Sequence, residues 1–177
     1  MQLLGPKVIV TVEELKKWGR IYVPEGVGQG MGVVQHAGSE CKLVKEGDKI
    51  LMLQSDLVPW LGKWDFYSRN AGEDMLLWEH DILAKIEGDN LNPVNGWKMY
   101  KHISTYGELW LKLRKHNFIA PYSHVDYLEV VKDEDNTFFL VSSTDGIYVT
   151  FKNEEFRFLK PKALLATITG EELEDLK

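Results

Sequence analysis

One cysteine, Cys41, stands in a chain of 177 residues. An intrachain disulfide framework and a multi-cysteine zinc site are therefore excluded, and the thiol reads as a small buried or half-buried side chain. Long hydrophobic runs are also missing: Ile50-Leu51-Met52-Leu53 and Phe138-Phe139-Leu140-Val141 are typical of the longest, far below the roughly 18–20 residues that cross a bilayer. The first residues lack the basic start, apolar middle and small-residue cleavage site of a signal peptide. A cytoplasmic location with no membrane partner is expected. Basic charge is scarce as well, with 21 Lys and Arg against 27 Asp and Glu and a net charge of −6. Such a balance lacks the electrostatic footprint of a nucleic-acid binder, so no nucleic acid is expected among the partners.

Catalytic patterns are equally sparse. The histidines stand at 36, 80, 102, 116 and 124, and none pairs at the i, i+4 spacing of a helical metal site. Glu79-His80-Asp81 has the composition of a proton relay, but no nucleophile motif lies beside it and a surface turn is the plainer reading. The run Gly26-Val27-Gly28-Gln29-Gly30-Met31-Gly32 invites phosphate binding. A dinucleotide fingerprint needs a helix after its glycines, whereas Val33-Val34 reads as strand, and no Gly-Lys-Ser/Thr follows. No Gly-x-Ser-x-Gly element occurs, and Asp133-Glu134-Asp135 reads as a solvated turn. The chain is expected to be no enzyme, with no catalytic residues, no metal and no cofactor.

What is present is alternation. Hydrophobic residues make up 44% and charged residues 27%, the balance of a folded globular protein. Period-two patterning predicts strands at 7–12, 32–38, 49–53, 75–78 and 82–86, then at 138–142, 147–151 and 155–159. Short strands between Gly-rich turns indicate an all-β antiparallel barrel or sandwich. Residues 13–31, with glycines at 19, 26, 28 and 30, read as a long mobile loop. The Gly, Asn and Pro cluster at 88–96 reads as a linker between a first domain, 1–88, and a second β-rich module, 91–177. Thr169 with Glu172 three residues on has the form of a capping box for a short terminal helix. Trp60, Trp64, Phe66 and Tyr67 form an aromatic patch that suits either an interface anchor or core and lid packing.

The order of motifs in the first half resembles the chaperonin-10 co-chaperonin family, the GroES type. The counterparts are Val8-Ile9-Val10 for its first strand, Gly19-Arg20-Ile21-Tyr22-Val23-Pro24 for its loop motif, and Gly32-Val33-Val34-Gln35-His36-Ala37-Gly38 for its second strand. Lys45-Glu46-Gly47-Asp48 matches its turn, and Asp81-Ile82-Leu83-Ala84 its closing strand. The stretch 39–44 is too short for the family's roof hairpin, a feature shared with viral members, and 54–71 is an insertion. Residues 91–170 look like a faint second copy. Trp97-Lys98-Met99 stands for the first strand, Phe118-Ile119-Ala120-Pro121 for the loop motif, and Leu164-Leu165-Ala166-Thr167-Ile168 for the closing strand.

The resemblance implies a GroES-like, partly open antiparallel β-barrel that forms a homo-oligomeric ring and caps a large chaperonin ring of the chaperonin-60 type. Ile21, Tyr22 and Val23 would make the contact, with Gly19 and Pro24 shaping the loop. A viral or tandem member would work in the host cytoplasm. The second module's own loop is expected not to bind the chaperonin, because 118–127 contains no glycine. The alternative is a structural or assembly protein, for instance of a virus particle, that reuses the barrel for lattice contacts.

Overall fold

A computed structural model describes residues 3–15, 29–53, 58–59, 74–106, 128–142 and 144–175. It divides into two compact units, 1–96 and 97–177. Both are antiparallel β, as alternation of side chains predicts.

In the first unit the strands are β1 (Lys7–Leu15), β2 (Gln29–Ala37), β3 (Lys49–Leu53), β4 (Val58–Pro59), β5 (Asp74–Trp78), β6 (Ile82–Glu87) and β7 (Asn90–Pro93). They form one sheet in the order β4-β5-β1-β2-β3-β6-β7. Val8, Val10 and Val12 recur at every second position of β1, and all three enter one buried cluster with Val34, Ile50, Met52, Met75, Leu77 and Ile82. β-branched residues suit this half-pleated surface, and each such side chain removed from water contributes about 1.5–3 kcal/mol.

Two expectations need correcting here. The stretch at 88–96 is no free linker: Gly88 turns the chain at φ +59, β7 pairs with β6, and the division between units falls after Gly96. The loop expected over 13–31 is narrower, because β1 runs on to Leu15 and β2 begins at Gln29, with Glu14 opposite Met31 and Leu15 opposite Gly30. Gly32 serves close approach within that pair. A Cβ there would lie 2.7 Å from the Thr11 carbonyl oxygen and would also strike Val10.

The second unit contains β8 (Lys98–Tyr106), β9 (Leu128–Lys132), β10 (Phe138–Ser142), β11 (Ile147–Phe151), β12 (Glu154–Leu159), β13 (Leu164–Ile168) and helix α1 (Gly170–Asp175). Its sheet order is β11-β12-β8-β9-β10-β13. The capping box forms: the Thr169 hydroxyl accepts the Glu172 N–H at 3.2 Å, and the Glu172 carboxylate accepts the Thr169 N–H at 2.8 Å. Leu173 of α1 completes a cluster with Leu128, Val130, Leu140 and Ile168.

The two sheet orders are the same once β8, β9, β10, β11, β12 and β13 are matched to β1, β2, β3, β4, β5 and β6. Register matches at two irregularities, while the further shift between Ile9 and Val10 of β1 has no counterpart in the β8–β9 ladder. Val12 faces Gly32 and Glu14 faces Met31, leaving Glu13 as a bulge; His102 faces Val131 and Ser104 faces Val130, leaving Ile103. Leu51 faces Ala84 and Met52 faces Ile82, skipping Leu83; Leu140 faces Ala166 and Val141 faces Leu164, skipping Leu165. A single-residue slip would invert every side chain, so coincident bulges are strong evidence of one architecture used twice. Each closing strand also follows a 3-10 turn, Glu79–Asp81 in one unit and Pro161–Ala163 in the other.

Candidate functional site

Antiparallel register fixes where the connections of the first unit begin. Leu15 lies opposite Gly30, Gln29 opposite Leu53, and Thr11 opposite Asp74, whose carboxylate accepts the Thr11 hydroxyl at 2.5 Å. The connection 16–28 and the segment between β3 and β5 are thus rooted at one end of the sheet. Lys49 pairs with Glu13 at 2.7 Å on β3 and β1. Gly19, Ile21, Tyr22, Val23 and Pro24 lie in that connection, outside the described residues, as do Trp60, Trp64, Phe66 and Tyr67. In the second unit the connection 107–127 is rooted at the matching place, where Tyr106 faces Leu128. Phe118-Ile119-Ala120-Pro121 falls within it, again outside the described residues.

At the other strand ends of the first unit, the chain between β2 and β3 is held by one carboxylate. Glu79 is 7% exposed, and its Oε1 accepts the backbone N–H groups of Lys42, Leu43 and Val44 at 2.8, 2.7 and 3.2 Å. The Asn95 amide donates to the carbonyls of Glu79 and Ile82, locking the 3-10 turn. The triad Glu79-His80-Asp81 is therefore an anchor, with only the exposed His80 and the half-buried Asp81 in contact with each other, at 3.3 Å. Asp48 shapes the return into β3. Burial would raise its carboxyl, but the Lys45 N–H at 3.0 Å and the Lys85 ammonium at 2.9 Å outweigh that and lower it. Cys41 donates to the Lys7 carbonyl at 3.3 Å; burial, then the charge of Glu79, pushes its thiol up, away from reactivity.

A polar quartet around a buried Arg157–Glu129 pair, with His102 half-buried and Tyr148 exposed at its margin, is unforeseen in the sequence and lies across β11, β12, β8 and β9. Arg157 and Glu129 are each 0% exposed, with Nε and Oε2 3.4 Å apart. The guanidinium lies 3.7 Å over the Tyr148 ring and donates to the carbonyls of Ser142 and Asp145. Tyr148 donates to Glu129, and burial, followed by that hydrogen bond, pushes its hydroxyl up to about 12. His102 stands 3.8 Å from Glu129 and 3.6 Å from Glu155, edge-on to Tyr148. By register these positions match Val12, Gly30, Pro59 and Met75 of the first unit. The quartet is confined to one copy, and it replaces an apolar or small-residue setting there.

Chemically, the quartet is a charge network in which the carboxylate of Glu129 accepts the Tyr148 hydroxyl through Oε1 and forms an ion pair with Arg157 through Oε2, an atom that is buried and accepts no hydrogen bond. Among the described residues no three His, Cys, Asp or Glu side chains converge as a metal site, and no helix is long and apolar enough to cross a membrane. No protein-family profile matches the chain, and comparison with curated proteins finds no similar sequence.

Proposed function

We propose that the chain is a tandem co-chaperonin: a homo-oligomer that caps a large chaperonin ring through the apolar tripeptide Ile21-Tyr22-Val23 and assists protein folding. The observation that carries this role is the pairing of Leu15 with Gly30. The tripeptide, flanked by Gly19 and Pro24, falls in the sequence between these two hydrogen-bonded strands, as the role requires. The motif order in the first half and the repetition of one strand order in the second support it further.

The physics of such a contact is that of a short apolar segment which buries its side chains only in a partner's groove. Ordering a segment on binding costs about 2–5 kcal/mol, which keeps each contact weak. Several segments presented by one ring recover affinity through effective concentration and still release when the grooves move. The function is protein-protein recognition, with no cofactor.

Co-migration with a purified chaperonin ring in the presence of nucleotide tests the role. Replacing Ile21 with Ser removes about 1.5–3 kcal/mol of apolar burial per contact, and multivalency multiplies that loss, so co-migration should vanish. Undiminished binding by the Ile21→Ser chain would refute the assignment.

A further inference from the structure

Asn95 and Gly96 follow β7 as the last two residues of the first unit. Both hold left-handed backbone, at φ +55 and +73, the pattern of a type I′ turn and the one that Asn-Gly fills most readily. No other Asn-Gly occurs in the chain. The side chain of Asn95 turns back into the unit, where its Nδ2 donates to the carbonyls of Glu79 and Ile82 at 2.9 and 2.8 Å. Those two carbonyls bracket the 3-10 turn, which the Ile82 N–H closes on the Glu79 carbonyl. Beside this tie the Val94 N–H donates to the Leu83 carbonyl at 3.0 Å, and Val94 packs against the first core. Both partners of Nδ2 are acceptors, so position 95 needs a donor. An amide supplies one, and a carboxylate of nearly the same shape has none.

We propose that Asn95 is a modification site: deamidation there converts the amide to a carboxylate and releases the turn that carries Glu79. Solvent base takes the proton from the Gly96 N–H, and that nitrogen attacks Asn95 Cγ to close a five-membered imide. The Cγ–Nδ2 bond breaks, and the nitrogen leaves as ammonia with a proton returned from water. Water then adds to the imide and opens it. Cleavage between Cγ and the Gly96 nitrogen gives aspartate, and cleavage between that nitrogen and the Asn95 backbone carbonyl gives isoaspartate. No electrons are gained or lost, and water is the only co-reactant. Gly96 favours the step because it has no side chain to shield its nitrogen, and it is exposed.

The folded turn opposes the reaction, because Nδ2, the nitrogen that must leave, is held by two carbonyls. Conversion therefore runs through local opening of 79–82 and 94–96, and its rate follows the population of the open form. Once made, the product blocks reclosure. A carboxylate at position 95 faces the oxygens of Glu79 and Ile82 with no proton to share, and each carbonyl loses this donor. The isoaspartyl form also lengthens the main chain by one carbon, at a position whose left-handed backbone few residues adopt. The effect spreads one step further through Glu79, whose Oε1 holds the N–H groups of Lys42, Leu43 and Val44. Asn95 thus couples slow, irreversible chemistry to the segment between β2 and β3.

The test ages the full chain in mildly alkaline buffer, folded and in urea, and locates conversion by peptide mass spectrometry, with isoaspartate read by methyltransferase labelling. Asn95 should convert ahead of every other asparagine in urea, and at least about tenfold more slowly when folded. The aged chain, and separately the Asn95→Asp chain, should show faster amide exchange at Ile82, Val94 and 42–44. Exchange at Val130 and Val141 of the second unit should not change. Absence of conversion at Asn95 in urea, equal rates folded and unfolded, or a converted chain that exchanges like the unaltered one would overturn the proposal.

Discussion

The carboxylate of Glu79 accepts the backbone N–H of Leu43 at 2.7 Å, across 36 positions of sequence. The matching residue in the second unit is Pro161, where β9 and β10 are joined by the short turn 133–137 and there is no excursion to anchor. Anchor and anchored segment are present together in one copy and absent together from the other. Glu79→Ala should leave the N–H groups of Lys42, Leu43 and Val44 without their acceptor. Hydrogen bonds to a charged group are worth about 1.5–3 kcal/mol, so a loss of that size is expected in denaturant unfolding, with faster amide exchange at 42–44. Unchanged exchange there would show that the segment holds without the carboxylate.

Removing one member of the Arg157 and Glu129 pair strands a charge at a position that is 0% exposed. Glu129→Gln should cost about 3–5 kcal/mol, the usual penalty for an uncompensated buried charge, whereas replacing both partners by apolar groups is often close to neutral. The double change Glu129→Gln with Arg157→Met, the latter borrowing the first unit's Met75, should therefore cost less than Glu129→Gln alone. A double-mutant cycle by urea unfolding measures this; strict additivity would mean the two side chains act independently.

Alkaline pH should weaken the second unit through Tyr148. Its folded hydroxyl is raised to about 12 from an ordinary value of 10.0, so the folded state holds its proton more tightly than the unfolded one. The contribution is complete below pH 10 and is lost as pH rises from 10 towards 12. Tyr148→Phe should flatten that part of the stability profile. A slope equal to that of the unaltered chain would assign the alkaline loss to other groups.

Much of the fold was legible because strands buried on one face betray themselves by alternation. The expected strands at 49–53, 138–142 and 147–151 coincide with β3, β10 and β11, and the capping box at Thr169 and Glu172 starts α1 as its spacing requires. β9 shows no such alternation because Glu129 sits between Leu128 and Val130, and both faces of that strand are buried. The same deception hid the quartet: an Arg at 157 between Phe156 and Phe158 looks like the wet face of a strand, when in fact two carbonyls, a carboxylate and an aromatic ring receive it. The sequence of β7 has the composition of a linker because Asn and Pro favour turns, yet Pro93 closes an edge strand, where a missing N–H costs nothing. The repeat was faint in sequence because the two copies share bulge positions and strand order more than residues.

Hydrogen exchange of the chain alone and in complex with a chaperonin ring and nucleotide tests the co-chaperonin role most directly. New protection should appear in residues 16–28, centred on Ile21, Tyr22 and Val23, and none should appear at 116–127. Formation of the complex with no change at 16–28, or protection acquired at 116–127 instead, would contradict it.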